Sequence, residues 1–306
     1  MLETPVLFLI FNRVETAVDV FEEIRKARPK QLFIAADGPR KNNQSDQYKC
    51  PEARNQILNR IDWPCELKTL FRAENLGCGK AVSQAITWFF DHVEQGIILE
   101  DDCLPNQDFF HFCEELLLKY ANDELIASIS GSNLLGTYNH KKDSYFFAHG
   151  GIWGWATWKR AWALYDFDMK GWGQPEILQK IKENISGDNW YSFYFSLFES
   201  THKKSIDTWD SQWFYTILVN NKLTINPKVN LVENIGFNID GTHTSKTDGK
   251  ISILKRYQLN FPLVHPQQKA LNEKYLRFLY RHLYKPNWLI NFLKKIKRKL
   301  INFRIK

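Results

Sequence analysis

The chain has 306 residues, of which 44% are hydrophobic and 25% charged, a balance that gives a globular protein with a sizeable core and excludes a disordered or fibrous one. Its formal charge of +7 comes from the end of the chain, where eight basic residues and no acid follow Tyr284; without those eight, 33 basic residues face 34 acidic ones. A nearly neutral body excludes general nucleic-acid affinity, which needs a basic face on the folded domain.

Pro5 to Phe11 is a continuous apolar run and reads as a buried strand that Asn12-Arg13 ends. Glu3 before it and the polar pair after it do not have the form of a signal peptide. Val14, Val18, Phe21 and Ile24 recur at helical spacing until Pro29, and Gln31 to Ala36 is a second strand closed by Asp37-Gly38-Pro39-Arg40. Strand, helix and strand with short links make a βαβ unit, so the first sheet is parallel. Asn12, Arg13, Asp37 and Arg40 then face one crevice beyond the strand ends. A nucleotide there finds Asp37 for a base or ribose donor and the arginines for phosphate; Asp37-Gly38-Pro39 is also an ordinary turn.

Residues 41–48 read as a loop, 50–60 as a helix and Glu66 to Phe71 as a third strand. Arg72 and the glycine-bearing Asn75-Leu-Gly-Cys-Gly-Lys80 lead into a helix over 81–91, whose start can take an anion on free N–H groups. The spacing of a P-loop is absent, and so is the glycine rhythm of a dinucleotide fingerprint, which argues against an NAD enzyme. Next comes Gly96 to Pro105, where the strand Ile97-Ile-Leu99 ends in Glu100, Asp101 and Asp102. Three adjacent carboxylates repel one another and lose hydration at the lip of a buried strand, so the run is expected to hold a cation. Oxygen-only ligands favour Mg2+ or Mn2+. A solvated acidic turn is the plain alternative.

A helix over 108–120 and strands over 125–130 and 145–147 follow. The aromatic share is high, at 15% with 11 Trp, and three of these tryptophans lie among glycines between His149 and Trp158. Trp153 and Trp155 read as a wall for a sugar or acceptor ring, or else as aromatic core. Helical stretches extend from Lys159 to about Lys203, interrupted by a loop over 166–173. In Ser205 to Trp213, Trp209 is a further wall residue, and Asp207 or Asp210 is either a helix N-cap or a base placed across the pocket from the metal. Strands at Ile225 and over 229–232 precede a glycine-bearing polar loop in which His243 is a candidate ligand for the same cation or a partner for phosphate.

Together the first strand ending in Asn12-Arg13, the Asp37-Gly38 strand end, Arg72 with Glu74-Asn-Leu-Gly77 and above all Ile97-Ile-Leu-Glu-Asp-Asp102 resemble GT-A glycosyltransferases. The nearest flavour is the bacterial nucleotide-diphospho-sugar transferases of the HlpA-like type, with N-acetylglucosaminyltransferase I as a distant relation in style. The resemblance covers about residues 5 to 245. It implies an α/β fold, Rossmann-like, with a mixed, mostly parallel sheet flanked by helices. It further implies a glycosyltransferase domain over 1–250, with a nucleotide-binding half over 1–135 and an acceptor half over 136–250, followed by a helical extension over 251–306. The implied activity is metal-dependent transfer of a sugar from a nucleotide-diphospho-sugar, a UDP-sugar as first choice, to a saccharide or lipid-linked acceptor in surface polysaccharide or glycan synthesis. By position, Asp102 matches the aspartate that contacts Mn2+ or Mg2+, Glu100 and Asp101 the rest of the acidic motif, and Asp37 the nucleoside reader. Asp210 matches the base, and His243 the metal-site histidine of some members. Asn12, Arg13, Arg40, Arg72 and Lys80 complete the expected donor site. The chain has Glu-Asp-Asp where the family has Asp-x-Asp, which leaves open how many carboxylates touch the metal.

Two alternatives stand beside this reading. A nucleotidyltransferase would show a glycine-rich, basic loop after the first strand, where this chain has Asn12-Arg13-Val14-Glu15. The other is a non-catalytic carbohydrate-binding or membrane-binding protein on the same fold.

From Trp288 onward, Leu289, Phe292, Leu293, Ile296, Leu300 and Phe303 form an apolar stripe with basic residues opposite. This suits an interfacial helix on anionic lipid, or a helix packed on the body. No run approaches the roughly 20 apolar residues of a spanning helix. The five cysteines, irregularly spaced within the first 113 residues, fit reduced thiols better than a disulfide frame or zinc site. The expected location is therefore the cytoplasm, at the inner face of the membrane.

Overall fold

In the computed structural model, whose described residues are 1–138, 142–237 and 254–284, the apolar runs of the first hundred residues become parallel strands. β1 (Val6–Ile10), α1 (Val14–Ala27) and β2 (Gln31–Ala36) form the anticipated βαβ unit. The alternation continues through α2 (Gln44–Leu58), β3 (Glu66–Phe71), α3 (Cys78–Phe90) and β4 (Gln95–Glu100). Then come β5 (Cys103–Pro105), α4 (Gln107–Lys119), β6 (Ile126–Ser130), β7 (Tyr145–Ala148), β8 (Trp155–Trp158) and α5 (Lys159–Trp162). α6 (Pro175–Asn184), α7 (Asp188–His202) and α8 (Asp210–Val219) precede β9 (Leu223–Pro227), β10 (Val232–Asn234) and α9 (Glu273–Leu279).

Eight strands lie in the order β3-β2-β1-β4-β8-β6-β9-β7, and β5 pairs with β10 in a separate ribbon. β3, β2, β1 and β4 are parallel; β8 runs against both β4 and β6, β9 is parallel to β6, and β7 closes the edge antiparallel. This is the expected α/β class, a mixed and mostly parallel sheet flanked by helices.

Alternation along β1 shows why its sequence is apolar throughout. Val6, Phe8 and Ile10 pack with Phe21 and Ile24 of α1 and Phe109 and Phe112 of α4, while Leu7 and Leu9 pack on the opposite face with Phe33, Ile86 and Phe89. A strand buried on both faces has no polar side to show. A third cluster, including Phe146, Trp190, Phe198, Phe214 and Tyr275, joins α7, α8 and α9 to the β7 edge.

Two local expectations are corrected, and one strand is new. α2 begins at Gln44, within the stretch read as loop, because the Asn43 side chain accepts the Asp46 N–H at 3.3 Å and caps the helix. α3 starts at Cys78, three residues early. Trp155 to Trp158, for which the sequence reading gave no secondary structure, is a central strand with Ala156 opposite Ile97 and Thr157 opposite Gly96. All five cysteines are free. Among the described residues no helix is long and apolar enough to cross a membrane. The stripe from Trp288 lies outside them.

Candidate active site

β4 runs beside β1 with Glu100 opposite Leu9, so Glu100, Asp101 and Asp102 emerge next to the turn from β1 into α1. The Phe11 N–H donates to Asp101 at 3.0 Å. The Arg13 guanidinium lies between the two aspartates, its Nη1 2.6 Å from Asp102 and 3.4 Å from Asp101. Gly236 passes so close to Asp102 that a Cβ there would fall 2.3 Å from Oδ2, and the Ile235 N–H donates to the Asp102 carbonyl at 2.8 Å. Burial, together with the charge of Asp102, raises Asp101 to about 7. Glu100 is pushed well above the carboxylate range by burial and by Asp102, Asp101 and Asp210; among the described residues its carboxylate makes no hydrogen bond. Burial alone would lower the Arg13 pKa, but the three carboxylates raise it, and the guanidinium stays charged.

Among the described residues no three Asp, Glu, His or Cys side chains converge as a closed cage would require. A divalent ion here would therefore use one or two carboxylates and complete its shell with ligand oxygens and water, as Mg2+ does at phosphate sites. Half-buried Glu100 and Asp102, the latter with 16% of its side chain exposed, offer hard oxygen donors that fit Mg2+ or Mn2+. His243 lies outside the described residues.

Several residues expected at the donor site are engaged by the protein itself. The Asp37 carboxylate accepts N–H groups from Asn75 Nδ2 (2.8 Å), Gly38 (2.9 Å), Leu76 (3.0 Å) and Gly77 (3.2 Å). Four donors match the roughly four lone-pair sites of a carboxylate, so Asp37 fastens the loop before α3 instead of presenting a free acceptor. Asn12 and Arg40 converge on Asp46, a fully buried carboxylate that sequence reasoning missed. Asn12 Nδ2 donates to it at 2.8 Å, and Arg40 binds it through Nε at 2.5 Å and Nη2 at 3.0 Å, which holds the Asp46 pKa below the ordinary carboxylate value. The only signal for it was the Asn43-x-x-Asp46 spacing of a helix start. Arg72 reaches the Ala81 carbonyl (3.2 Å) and Gln84 (3.3 Å) on α3, and Lys80 is exposed. The start of α3, expected to take an anion, already holds one: Asp207 accepts the N–H groups of Cys78 (2.9 Å) and Gly79 (3.0 Å). Gly77, at φ +81°, leaves room for that carboxylate.

Asp207 is thus a cap for α3, and Asp210 is the first residue of α8. The Thr208 hydroxyl and the Ser211 N–H (2.7 Å) donate to Asp210. It borders two adjoining cavities of about 340 and 180 Å³, which share Gly150, Gly151, Ile152, Tyr194 and Phe214, and among the described residues it is the one carboxylate on their walls. Its charge is felt by Glu100. Burial and the carboxylates of Glu100, Asp210 and Asp207 push up the Cys78 thiol. The ends of β4 and the starts of α3 and α8 therefore meet electrostatically.

Trp153 lines the larger cavity with its ring 5.5 Å from that of Phe237. Trp155 and Trp209, expected on the same wall, are core residues instead. They are 1% and 2% exposed and stack at 5.5 Å, against Trp213 and Trp162. The strand conformation of β8 turns Trp155 to the face covered by α3 and α8, and this aromatic block supports the turn that carries Asp210.

His149 is a cavity residue to which the sequence reading gave no role. It directly follows β7, lies 6.0 Å from the Phe214 ring and is held neutral by burial, with its pKa lowered to about 4. A histidine that charges more easily unfolded than folded loses stability as pH falls from about 6.5 towards 4, by at most about 1.4 kcal/mol per pH unit. Glu100 and Asp101, raised in the fold, act with the opposite sign. The expected result is that His149→Gln gains stability relative to wild type as pH falls through that window; parallel melting curves would show that His149 is not the group responsible.

No family model matches the chain, and no curated protein does. Among solved structures it is similar to a UDP-glucose pyrophosphorylase complexed with UDP-glucose, at 13% identity and TM-score 0.36 over 74% of this chain and 90% of that one. It is also similar to residues 1–349 of S. aureus TarS, at 11% and TM-score 0.39 over 74% and 58%. A cytidylyltransferase from Leptospira borgpetersenii matches at 9% and TM-score 0.34 over 53% and 63%. The chain spans less than two thirds of the last two proteins.

Proposed function

We propose that the protein is a glycosyltransferase that moves a sugar from a nucleotide-diphospho-sugar, a UDP-sugar as first choice, to a saccharide or lipid-linked acceptor. One observation carries the reading: the Glu100-Asp101-Asp102 run leaves the C-terminal end of β4, and Asp210, within electrostatic reach of it, borders a cavity. In open α/β sheets ligands sit beyond the strand carboxyl ends. The diphosphate is assigned to the turn from β1 into α1, where Arg13 supplies charge and, among the described residues, no side chain caps the helix. Asp102, with Glu100 beside it, is assigned to Mn2+ or Mg2+; when bound, that ion would neutralise charge on the departing diphosphate. Asp210 takes the acceptor hydroxyl proton if transfer inverts the sugar. Trp153, Tyr194 and Phe214 wall the acceptor side with rings. The basic stripe after Trp288 is proposed to hold the enzyme on the anionic cytoplasmic face of a membrane.

A thermal-shift screen of nucleoside diphosphates, triphosphates and nucleotide sugars, with and without Mn2+, tests this. One nucleotide family at 100 times its Kd should stabilise the protein by about 2.7 kcal/mol, only when Mn2+ is present. No shift with any of them on folded protein would refute donor binding. Release of pyrophosphate from a triphosphate and a sugar phosphate would instead identify a nucleotidyltransferase.

A further inference from the structure

Arg13 sits on a carboxylate oxygen for which a divalent ion at Asp102 would compete. Its Nη1 makes the 2.6 Å contact to Asp102 and the 3.4 Å contact to Asp101, and among the described residues it is the one ion-pair partner of either. The pairing is largely out of water, with side-chain exposures of 23% for Arg13, 9% for Asp101 and 16% for Asp102. Two cations sharing one shielded carboxylate repel strongly. The guanidinium is tethered at the N-cap position of α1, where its own side chain makes no capping bond. Its planar fork matches phosphate oxygens as well as carboxylates.

We infer that Arg13 is a specificity-determining counter-cation: it opposes a free divalent ion at the acidic strand end and moves to the phosphate oxygens only when a diphosphate arrives with that ion. The inference rests on the proposed assignment of Asp102 to a divalent ion. It goes further in making the ion and the diphosphate obligatory partners, each binding poorly alone, because exchange of Arg13 between carboxylate and phosphate links them reciprocally.

The test is Mn2+ binding by calorimetry to folded protein, alone and with saturating UDP, with Mn2+–UDP association in buffer subtracted. Arg13→Gln should bind Mn2+ alone about tenfold more tightly than wild type, and UDP should tighten Mn2+ binding far less in the variant than in wild type. Arg13→Lys, which keeps the charge without the fork, should fall between them. Equal Mn2+ affinity in wild type and Arg13→Gln would overturn the inference and leave the metal assignment standing. If neither protein takes up Mn2+ with or without UDP, the assignment falls and the inference with it. Should Arg13→Gln fail to fold, wild type decides alone: a Mn2+ affinity unchanged by UDP overturns the coupling.

Discussion

Asp210→Asn is expected to slow sugar transfer by about 10² to 10⁴-fold, the usual contribution of a positioned general base, while Mn2+-dependent nucleotide binding survives. The substitution is nearly isosteric, and the remaining side-chain oxygen still accepts from the Thr208 hydroxyl and the Ser211 N–H. What disappears is a basic oxygen on the cavity wall and one of the negative charges acting on Glu100. The fold has no reason to weaken, because that charge raises the cost of ionising a buried neighbour. Initial rates at saturating donor should show the loss in kcat, with the nucleotide thermal shift retained. Undiminished turnover would remove Asp210 as the base; loss of the nucleotide shift would move it to the donor site.

Asp102→Ala should act differently, abolishing both transfer and the Mn2+-dependent nucleotide shift. Of the acidic residues at this strand end, Asp101 is tied to the Phe11 N–H and Glu100 is raised well above its ordinary pKa. Asp102 carries the shorter contact to Arg13 and is the more exposed of the two aspartates, so it is the residue proposed to take an ion entering from solvent. Removing it costs Arg13 one partner but leaves Asp101, and relieves repulsion inside the acidic run. The melting temperature without ligand should therefore stay near that of wild type, which separates loss of a ligand from loss of the fold. A persistent Mn2+-dependent nucleotide shift in Asp102→Ala would refute the assignment.

The parallel half of the sheet was legible because burial on both faces leaves β1, β2 and β4 as unbroken apolar runs, and α1 because its buried residues keep a helical period. The acidic run was legible for a related reason, since three carboxylates at the end of an apolar strand have no packing role. β8 was hidden because Trp155-Ala-Thr-Trp158 becomes a strand only by pairing with β4 and β6, both distant in sequence. The same strand decides that Trp155 is core while Trp153, just before it, faces a cavity. Residue type alone did not show the surroundings of Asp37, where three of the four N–H donors to the acceptor expected for a nucleoside arrive 38 to 40 residues later. Asp46 escaped notice, and Asp207, read as a helix N-cap or a base, caps the distant α3, because their partners are fixed by the fold; in Asp207 the carboxylate and the N–H groups it caps are 128 and 129 residues apart.

That last contact limits how the molecule can be rebuilt. The segment leading to Asp210 is bolted through Asp207 onto a helix from the first half of the chain, and the recipient backbone tolerates little there. A Cβ at position 77 would lie 2.4 Å from one Asp207 oxygen, and one at position 79 would lie 2.8 Å from the other. A chimera that grafts a foreign second half onto this first half would have to import an aspartate equivalent to Asp207 and keep Gly77 and Gly79. Without that match, the grafted segment would lose its anchor, α3 would expose unpaired N–H groups, and the carboxylate at position 210 would no longer be held in register with the acidic end of β4.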